Sequence, residues 1–345
     1  MAHTTPSAPA SPARLDIDAG FDFDHAVVAP FRMQPGLRRL AESEAQLTPA
    51  GAGSRHQREK LAVLGAFADE ALQCAEGFDP APALHTLAAQ AAAEHPQHFA
   101  WDGRSAVSLG LRVACDGALQ RLQAGSFGLG DEAERCLQAL APHWRLAGLL
   151  SLAFEEDFAI VDGDAGTLPW MAVALPSHWA PRDKVGRAFT EAHAPVADNG
   201  LLMRAAMPLM QLVTAPERWE RFVWNITGHP RLHAHPAHVP PLRWPQGFDP
   251  AAAWWRTERQ TFIPCVDPDP DPDPDRDPDS DPGHGRRQAV FTIRVQVQPL
   301  ALALAAPGRA AKLHAAVASM SPAVLAYRSL ADIRAPLLNW LAAQG

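Results

Sequence analysis

The segment Leu175–Val196, LPSHWAPRDKVGRAFTEAHAPV, constrains the fold most, because prolines bound its predicted helix on both sides. Pro181 suits the first position of a helix, where a missing N–H costs no hydrogen bond. Pro195 disfavours helical geometry at the residue before it, so the helix is predicted to end at or just after His193.

His193 is thereby placed on the apolar face of a final helical turn, because Val185, Phe189 and His193 recur every four residues. One imidazole nitrogen can reach a buried partner while the other donates to an unpaired carbonyl of the helix end. This is the local chemistry of an axial ligand to a buried metal macrocycle. A histidine on an apolar face is also often a satisfied core residue, and spacing alone leaves both interpretations open.

Composition narrows the class of protein. The chain has 345 residues, 47% of them hydrophobic, which predicts one large or two modest domains with an ample core. The net charge is −8, and no basic stripe indicates nucleic-acid binding. No apolar run approaches the roughly 18–20 residues of a membrane span, and the first residues lack the pattern of a secretory signal. We therefore expect a cytoplasmic protein with no membrane or nucleic-acid partner.

Common redox-cofactor motifs are missing from the sequence. Cys74, Cys115, Cys136 and Cys265 are scattered without a C-x-x-C pair, so neither a zinc ribbon nor an iron–sulfur cluster is indicated. The segment GAGSRH at 51–56 lacks the third glycine of a dinucleotide-binding turn. Electrons for any redox reaction are expected to come from a separate protein.

The periodicity predicts an α+β fold in successive parts. Residues 1–18 are rich in Ala, Pro and Ser and are expected to be disordered. Residues 19–148 are predicted to be mainly helical, and residues 149–345 to form a mostly antiparallel sheet with flanking helices. The predicted helices are 59–73, 81–94, 106–122, 130–140, 201–215 with a break at Pro208, 249–259 and the tail after Lys312, where Tyr327 is expected to pack.

Two segments near the carboxyl end stand out. The arms 260–264 and 288–298 are predicted to pair as a hairpin, and the Asp-Pro repeat 267–287 between them is expected to form an extended, solvated loop. His229, His233, His235 and His238, with Cys265, could in principle bind zinc. The many prolines of that histidine loop argue against a fixed ligand geometry, so we expect no metal site there.

Several motifs in order resemble those of the heme-dependent oxidative N-demethylase alpha subunits. PSHW and DKVGRAFTEAHAPV are similar to the family pattern PS-x-W…EK-x-G…IH-x-PV. The resemblance extends over roughly 300 residues, through the segments PFRMQPGLRRL at 30–40, FEEDFAIV at 154–161, WWRTERQTFIP at 254–264, AVFTIRVQVQPL at 289–300 and SPAVLAYRSL at 321–330. The family's R-x-N-W motif appears here only as Arg221 followed by Trp224 and Asn225.

The resemblance implies a PAS-like core that binds heme b and a monooxygenase activity. An alkylamine, dioxygen and two electrons from a separate reductase would give the dealkylated amine and formaldehyde. His193 would be the ligand to the heme iron, and Lys184 and Arg259 are candidate cofactor contacts. For Lys184, a solvated helix face is the alternative.

Glu258 is the candidate catalytic carboxylate, since a cationic amine needs a nearby anion or aromatic face. Trp224, Trp255 and Asn225 are the candidate pocket walls. Glu258 could instead be one half of a structural ion pair with Arg256 at a helix end. At the level of the whole chain, a heme-based gas or redox sensor, or a scaffold without cofactor, remains an alternative.

Overall fold

The computed structural model of the chain describes residues 21–123, 131–265 and 287–344. The predicted disordered segment 1–18 and all but the last residue of the Asp-Pro repeat 267–287 lie outside these ranges. Among the helices of the described ranges, none combines the length and the apolar character needed to cross a membrane.

The described residues form an α+β fold, as predicted, around two antiparallel sheets. The strands are β1 Arg38–Arg39, β2 Leu72–Cys74, β3 Ala100–Trp101, β4 Ser105–Ser108, β5 Leu111–Ala114, β6 Leu119–Arg121, β7 Asp157–Asp162, β8 Thr167–Ala172, β9 Trp219–Thr227, β10 Trp254–Cys265 and β11 Gln288–Pro299. The large sheet has the order β1-β9-β10-β11-β7-β8-β2, and the small sheet the order β3-β4-β5-β6.

The helices of the described residues flank these sheets. They are α1 Phe23–Ala26, α2 Arg55–Ala66, α3 Ala68–Ala71, α4 Ala81–Glu94, α5 Glu132–Ala139, α6 Arg145–Ala153, α7 Phe189–Ala192, α8 Gly200–Arg204, α9 Ala206–Val213, α10 Leu300–Ala303, α11 Arg309–Ala318, α12 Pro322–Tyr327 and α13 Arg334–Ala342. The predicted helix 81–94 is confirmed with both its bounds. The helix 201–215 is interrupted at Ala205 rather than at Pro208, which lies in the first turn of α9.

The predicted helix 106–122 is wrong, because this segment forms the small sheet. Its apolar residues alternate in burial along β4 and β5, with Ala106 and Val113 fully buried. Between the two strands, Leu109 and Gly110 both have positive φ, 53° and 70°. Two consecutive residues with positive φ form a type I′ turn, whose twist matches that of the flanking strands. This turn favours a hairpin of β4 and β5 over a helix.

The predicted helix 249–259 is also wrong beyond its first turn. Asp249 caps a 3₁₀ turn at Pro250–Ala252, and the chain then enters β10 at Trp254. The predicted hairpin is confirmed but longer, since β10 and β11 pair over twelve residues from Trp254↔Pro299 to Cys265↔Gln288. Strand pairing on both sides of β10 outweighs a weak local preference for helix.

Three apolar clusters hold these elements together. The largest joins the helices between residues 55 and 153 to the large sheet, so the two predicted parts of the chain share one core. The second packs the helices after residue 300 against Trp224 and Trp255, and the third packs α8 and α9 against Phe262. Tyr327, predicted to pack, is half exposed at 48%.

Candidate functional site

One face of β9 and β10 carries most of the charged and polar candidates. Alternate residues of a strand point to the same face, and residues directly opposite each other on paired strands share it. The register pairs Gln260 with Arg221, and Arg256 with Asn225. Glu258 lies between Arg256 and Gln260 on the same face, which we call the polar face.

The opposite face carries the other predicted pocket residues. Trp224 and Trp255 stack with ring centroids 5.0 Å apart inside the apolar cluster of the carboxyl-terminal helices. Arg259 donates to Glu220 at 2.8 Å and to the Ala45 carbonyl. The structure therefore does not bring Trp224, Trp255 or Arg259 together with Glu258. The predicted helix 249–259 did not indicate this separation, because side chains alternate between two faces only on a strand.

The segment that holds His193 is not one continuous helix, which corrects the prediction. Pro181–Asp183 form a 3₁₀ turn, Gly186 has a left-handed φ of +71°, and α7 covers only Phe189–Ala192. A left-handed residue ends a helix, and Gly adopts that conformation without steric cost. Val185 is thus separated from His193, which still terminates α7 as expected.

His193 is oriented by a side-chain hydrogen bond. Its Nδ1–H donates at 2.8 Å to the Phe189 carbonyl, which also accepts from the backbone N–H of His193, so the predicted bond to the helix end forms at a carbonyl that already has a partner. Nε2 then carries the lone pair of the neutral ring. The ring stacks on Phe189 at 4.0 Å. Burial lowers the pKa of His193 to about 4, and the charges of Lys184 and Arg221 act in the same direction. The imidazole is therefore neutral at pH 7.

Lys184 lies between His193 and the polar face rather than on a solvated helix face. Its Nζ donates to the Ala192 carbonyl at 2.7 Å and lies 5.4 Å from the Trp179 ring centroid. Burial lowers the pKa of Lys184, and the carboxylates of Asp183 and Glu258 partly oppose that shift. The ammonium ties the 3₁₀ turn to the end of α7.

Glu258 accepts two side-chain hydrogen bonds, one from Ser177 Oγ and one from Gln260 Nε2 at 2.7 Å. Arg256 does not pair with it directly. Instead, Arg256 Nε donates to Ser177 Oγ at 2.8 Å, and the rest of its guanidinium donates to backbone carbonyls. Ser177 thus connects the two charged side chains. The ion pair proposed at a helix end is replaced by a hydrogen-bonded chain from Arg256 through Ser177 to Glu258, in which Arg256 and Glu258 lie on β10.

Several buried polar atoms on and beside the polar face have no hydrogen-bond partner among the described residues. They include Arg221 Nε, Asn225 Oδ1, Thr227 Oγ1 and both ring nitrogens of His229. An unsatisfied buried group costs about 1–3 kcal/mol. Arg221 is close enough to His193 and Glu258 for their charges to interact, so its unpaired Nε fits a site that receives a polar or anionic group.

Sequence reasoning missed Ser177 and His178. His178 has a φ of +61°, uncommon for a non-glycine residue and typical of functional or tightly constrained positions. Its ring lies 5.5 Å from that of His229. Burial, reinforced by Arg256 and His229, lowers the pKa of His178 to about 4.

His178 provides a test of the electrostatics of this site. Its folded-state pKa of about 4 lies below the ordinary 6.5, so between these values the unfolded chain binds a proton that the folded chain resists. Its contribution to the free energy of unfolding is fully present above pH 6.5 and is lost as the pH falls towards 4. His178→Asn, which tolerates the same backbone, is expected to flatten part of this decline in urea unfolding at pH 7 and pH 5. The exposed-site variant His143→Ala serves as the control, and equal pH dependence of wild type and His178→Asn contradicts the assignment.

Comparison with known protein families matches most of the chain. The family model described as "Haem-dependent oxidative N-demethylase, alpha subunit-like" matches residues 54–264. This range includes Ser177, Lys184, His193, Asn225 and Glu258 and ends within β10. No curated protein matches the chain.

Proposed function

The chain belongs to the heme-dependent oxidative N-demethylase alpha-subunit-like family. We propose that it removes a methyl group from a secondary or tertiary amine by heme-dependent oxidation. In this reaction the N-methyl amine, dioxygen, two electrons and two protons yield the demethylated amine, formaldehyde and water. The observation that carries the proposal is His193, a half-buried neutral imidazole with one nitrogen engaged and the other available.

The residues around His193 fit a heme b group. His193 Nε2 would hold the iron, and Arg221 and Lys184, whose charges act on His193, offer positive groups for the propionates. Arg221 Nε lacks another partner among the described residues, which supports the fit. A bound heme would supply the dioxygen chemistry.

Glu258 has the properties of an amine-binding group. A protonated amine that enters a half-buried pocket needs a counter-charge or must lose its proton. Glu258 offers a carboxylate whose orientation is fixed by Ser177 and Gln260. It can attract the ammonium and accept its proton, which frees the nitrogen lone pair for oxidation.

A separate reductase is proposed as the electron donor. The sequence carries no dinucleotide-binding turn or iron–sulfur cysteine pattern, and the family description names an alpha subunit, which implies partner subunits. A gas sensor, the other candidate for a heme-binding chain, needs no carboxylate in its ligand pocket. Glu258 therefore favours the enzyme.

Reconstitution tests the proposed function. The purified chain, supplied with hemin, is expected to show a Soret band at a stoichiometry of one heme. With an artificial electron donor and a panel of small alkylamines, it is expected to consume dioxygen and release formaldehyde in equal amounts. A Soret band without amine-dependent dioxygen consumption favours the sensor, and no Soret band contradicts both.

A further inference from the structure

A second cluster of ligating side chains lies away from the polar face. It joins Glu70 of α3 to His235 and His238 of the histidine loop, residues 229–241. One ligand atom from each of the three lies within 4.8 Å of the other two. His235 Nδ1 is 3.2 Å from Glu70 Oε2, and His238 Nε2 is 3.5 Å from Glu70 Oε1. The expectation that prolines leave this loop without a fixed geometry is therefore wrong.

The hydrogen bonds of His233 fix the tautomer of His238. The Ala174 carbonyl can only accept, so His233 Nδ1–H donates to it at 2.7 Å and His233 Nε2 carries a lone pair. That lone pair accepts from His238 Nδ1–H at 2.9 Å. In the neutral rings, His238 Nε2 consequently has an unprotonated lone pair facing the Glu70 carboxylate.

His235 Nδ1 is a second nitrogen with a lone pair near Glu70. The Ala237 N–H donates to its Nδ1 over a long 3.2 Å, which a metal bond could replace. His235 is only 4% exposed, and its Nε2 and Glu70 Oε2 are buried without hydrogen-bond partners among the described residues. The lone pairs of His235 Nδ1 and His238 Nε2 thus meet the Glu70 carboxylate in a half-buried place, where a proton or a cation can reconcile them.

The donor set and spacing suit one class of cation. Two imidazole nitrogens and a carboxylate oxygen are ligands typical of zinc and related borderline divalent metals. Bonds of about 2.0–2.1 Å in tetrahedral geometry place neighbouring ligand atoms about 3.3 Å apart. The N···O separations of 3.2 and 3.5 Å, each to a different oxygen of Glu70, are of similar size to that edge. A cavity of about 520 Å³, lined in part by His233 and His238, adjoins the cluster and gives a cation access.

We propose that Glu70, His235 and His238 bind a divalent cation of the zinc class, with His233 holding His238 in position from the second coordination sphere. Such a ligand-to-His hydrogen bond is the usual second-sphere arrangement of metal-bound histidine. Cys265, considered from the sequence, is not among the ligands that come together.

The site has a structural consequence for the polar face. Ala234, next to His235, pairs with Ser177 in a parallel bridge, and its backbone bonds to His178 N and to the Pro176 carbonyl. A metal between α3 and the histidine loop would therefore fasten the segment that carries Ser177, the partner of Glu258. The cation stabilises the pocket wall and takes no part in the reaction.

Metal titration of the heme-free full-length chain tests this site. After chelator treatment, wild type is expected to bind one Zn²⁺ at pH 7 and to gain several degrees in Tm, since a ligand that binds only the folded state stabilises it. Co²⁺ should give the visible absorption of a tetrahedral site. Glu70→Gln and His238→Ala are each expected to lose at least 100-fold in Zn²⁺ affinity. His233→Ala should lose 10–100-fold, as outer-sphere changes do.

Two controls separate this site from the proposed heme site. His143→Ala, which removes an exposed histidine, should bind Zn²⁺ like wild type, and so should His193→Ala. Glu70→Gln should still give a Soret band with hemin. Absence of stoichiometric Zn²⁺ binding, or equal affinity in wild type, Glu70→Gln and His238→Ala with unchanged far-UV dichroism, overturns the metal site. Loss of Zn²⁺ binding in His193→Ala shows that His193 holds the metal and overturns it as well.

Discussion

Replacing His193 with alanine is expected to abolish the Soret band of the hemin-reconstituted chain. In the wild type the imidazole is neutral and its Nδ1–H is committed to the Phe189 carbonyl, which leaves the lone pair of Nε2 for the iron. Alanine offers no atom that could bind the iron. Because the ring stacks on Phe189 and His193 ends a helix of only four residues, the far-UV dichroism should change little. Absorption spectra of equal protein concentrations, titrated with hemin, measure the loss.

The cavity left by His193→Ala allows a sharper control. Free imidazole, added at millimolar concentration, is expected to enter it and to restore a Soret band close to that of wild type. His178→Asn, which changes the other pocket histidine of pKa about 4, should retain the wild-type Soret band. If His193→Ala binds hemin with unaltered spectrum and affinity, or if His178→Asn loses the band instead, the ligand assignment is wrong.

Local signals predicted those parts of the fold in which neighbours in sequence decide the structure. The helix Ala81–Glu94 has apolar residues at helical spacing and was found with its bounds. Pro195 correctly placed the end of α7 at His193. The predicted helices 106–122 and 249–259 were wrong. In the first, the turn at Leu109 and Gly110 favours a hairpin. In the second, pairing on both sides of β10 overrides the local preference for a helix.

The site depended on contacts that sequence patterns do not reveal. Ser177 meets Glu258 across 81 residues. Glu70 and His235 come together across the division between the predicted helical and sheet parts. Residues 254–259 form part of a strand rather than the predicted helix. Because strand side chains alternate, Trp255 and Arg259 lie on the face opposite Glu258. One error in secondary structure therefore misplaced both Trp255 and Arg259.

Glu258→Gln is expected to retain heme but to lose amine turnover by roughly the 10²–10⁴-fold typical of a missing acid–base group. The amide keeps the size of the side chain. Its oxygen can accept from Ser177, and its NH2 can donate to Gln260 once the amide of Gln260 turns its oxygen towards it, so the wall of the pocket is preserved. It cannot attract an ammonium or take its proton. Formaldehyde release at several amine concentrations should show the loss in kcat/KM, with an unchanged Soret band.

Glu220→Gln is the matched control, because Glu220 is a buried carboxylate of the same sheet that faces away from Glu258. It pairs with Arg259 and Arg38 on the opposite face, at 2.8 and 2.7 Å. Replacing the carboxylate with a neutral amide should lower the free energy of unfolding, since Arg38 and Arg259 lose a charged partner and keep only Asp22 and the Ala45 carbonyl, respectively. The folded fraction should nevertheless turn over amine at the wild-type rate. If Glu220→Gln and Glu258→Gln lose turnover equally, or if Glu258→Gln retains wild-type kinetics, Glu258 is a structural residue that holds Ser177 and Gln260 rather than the group that receives the amine.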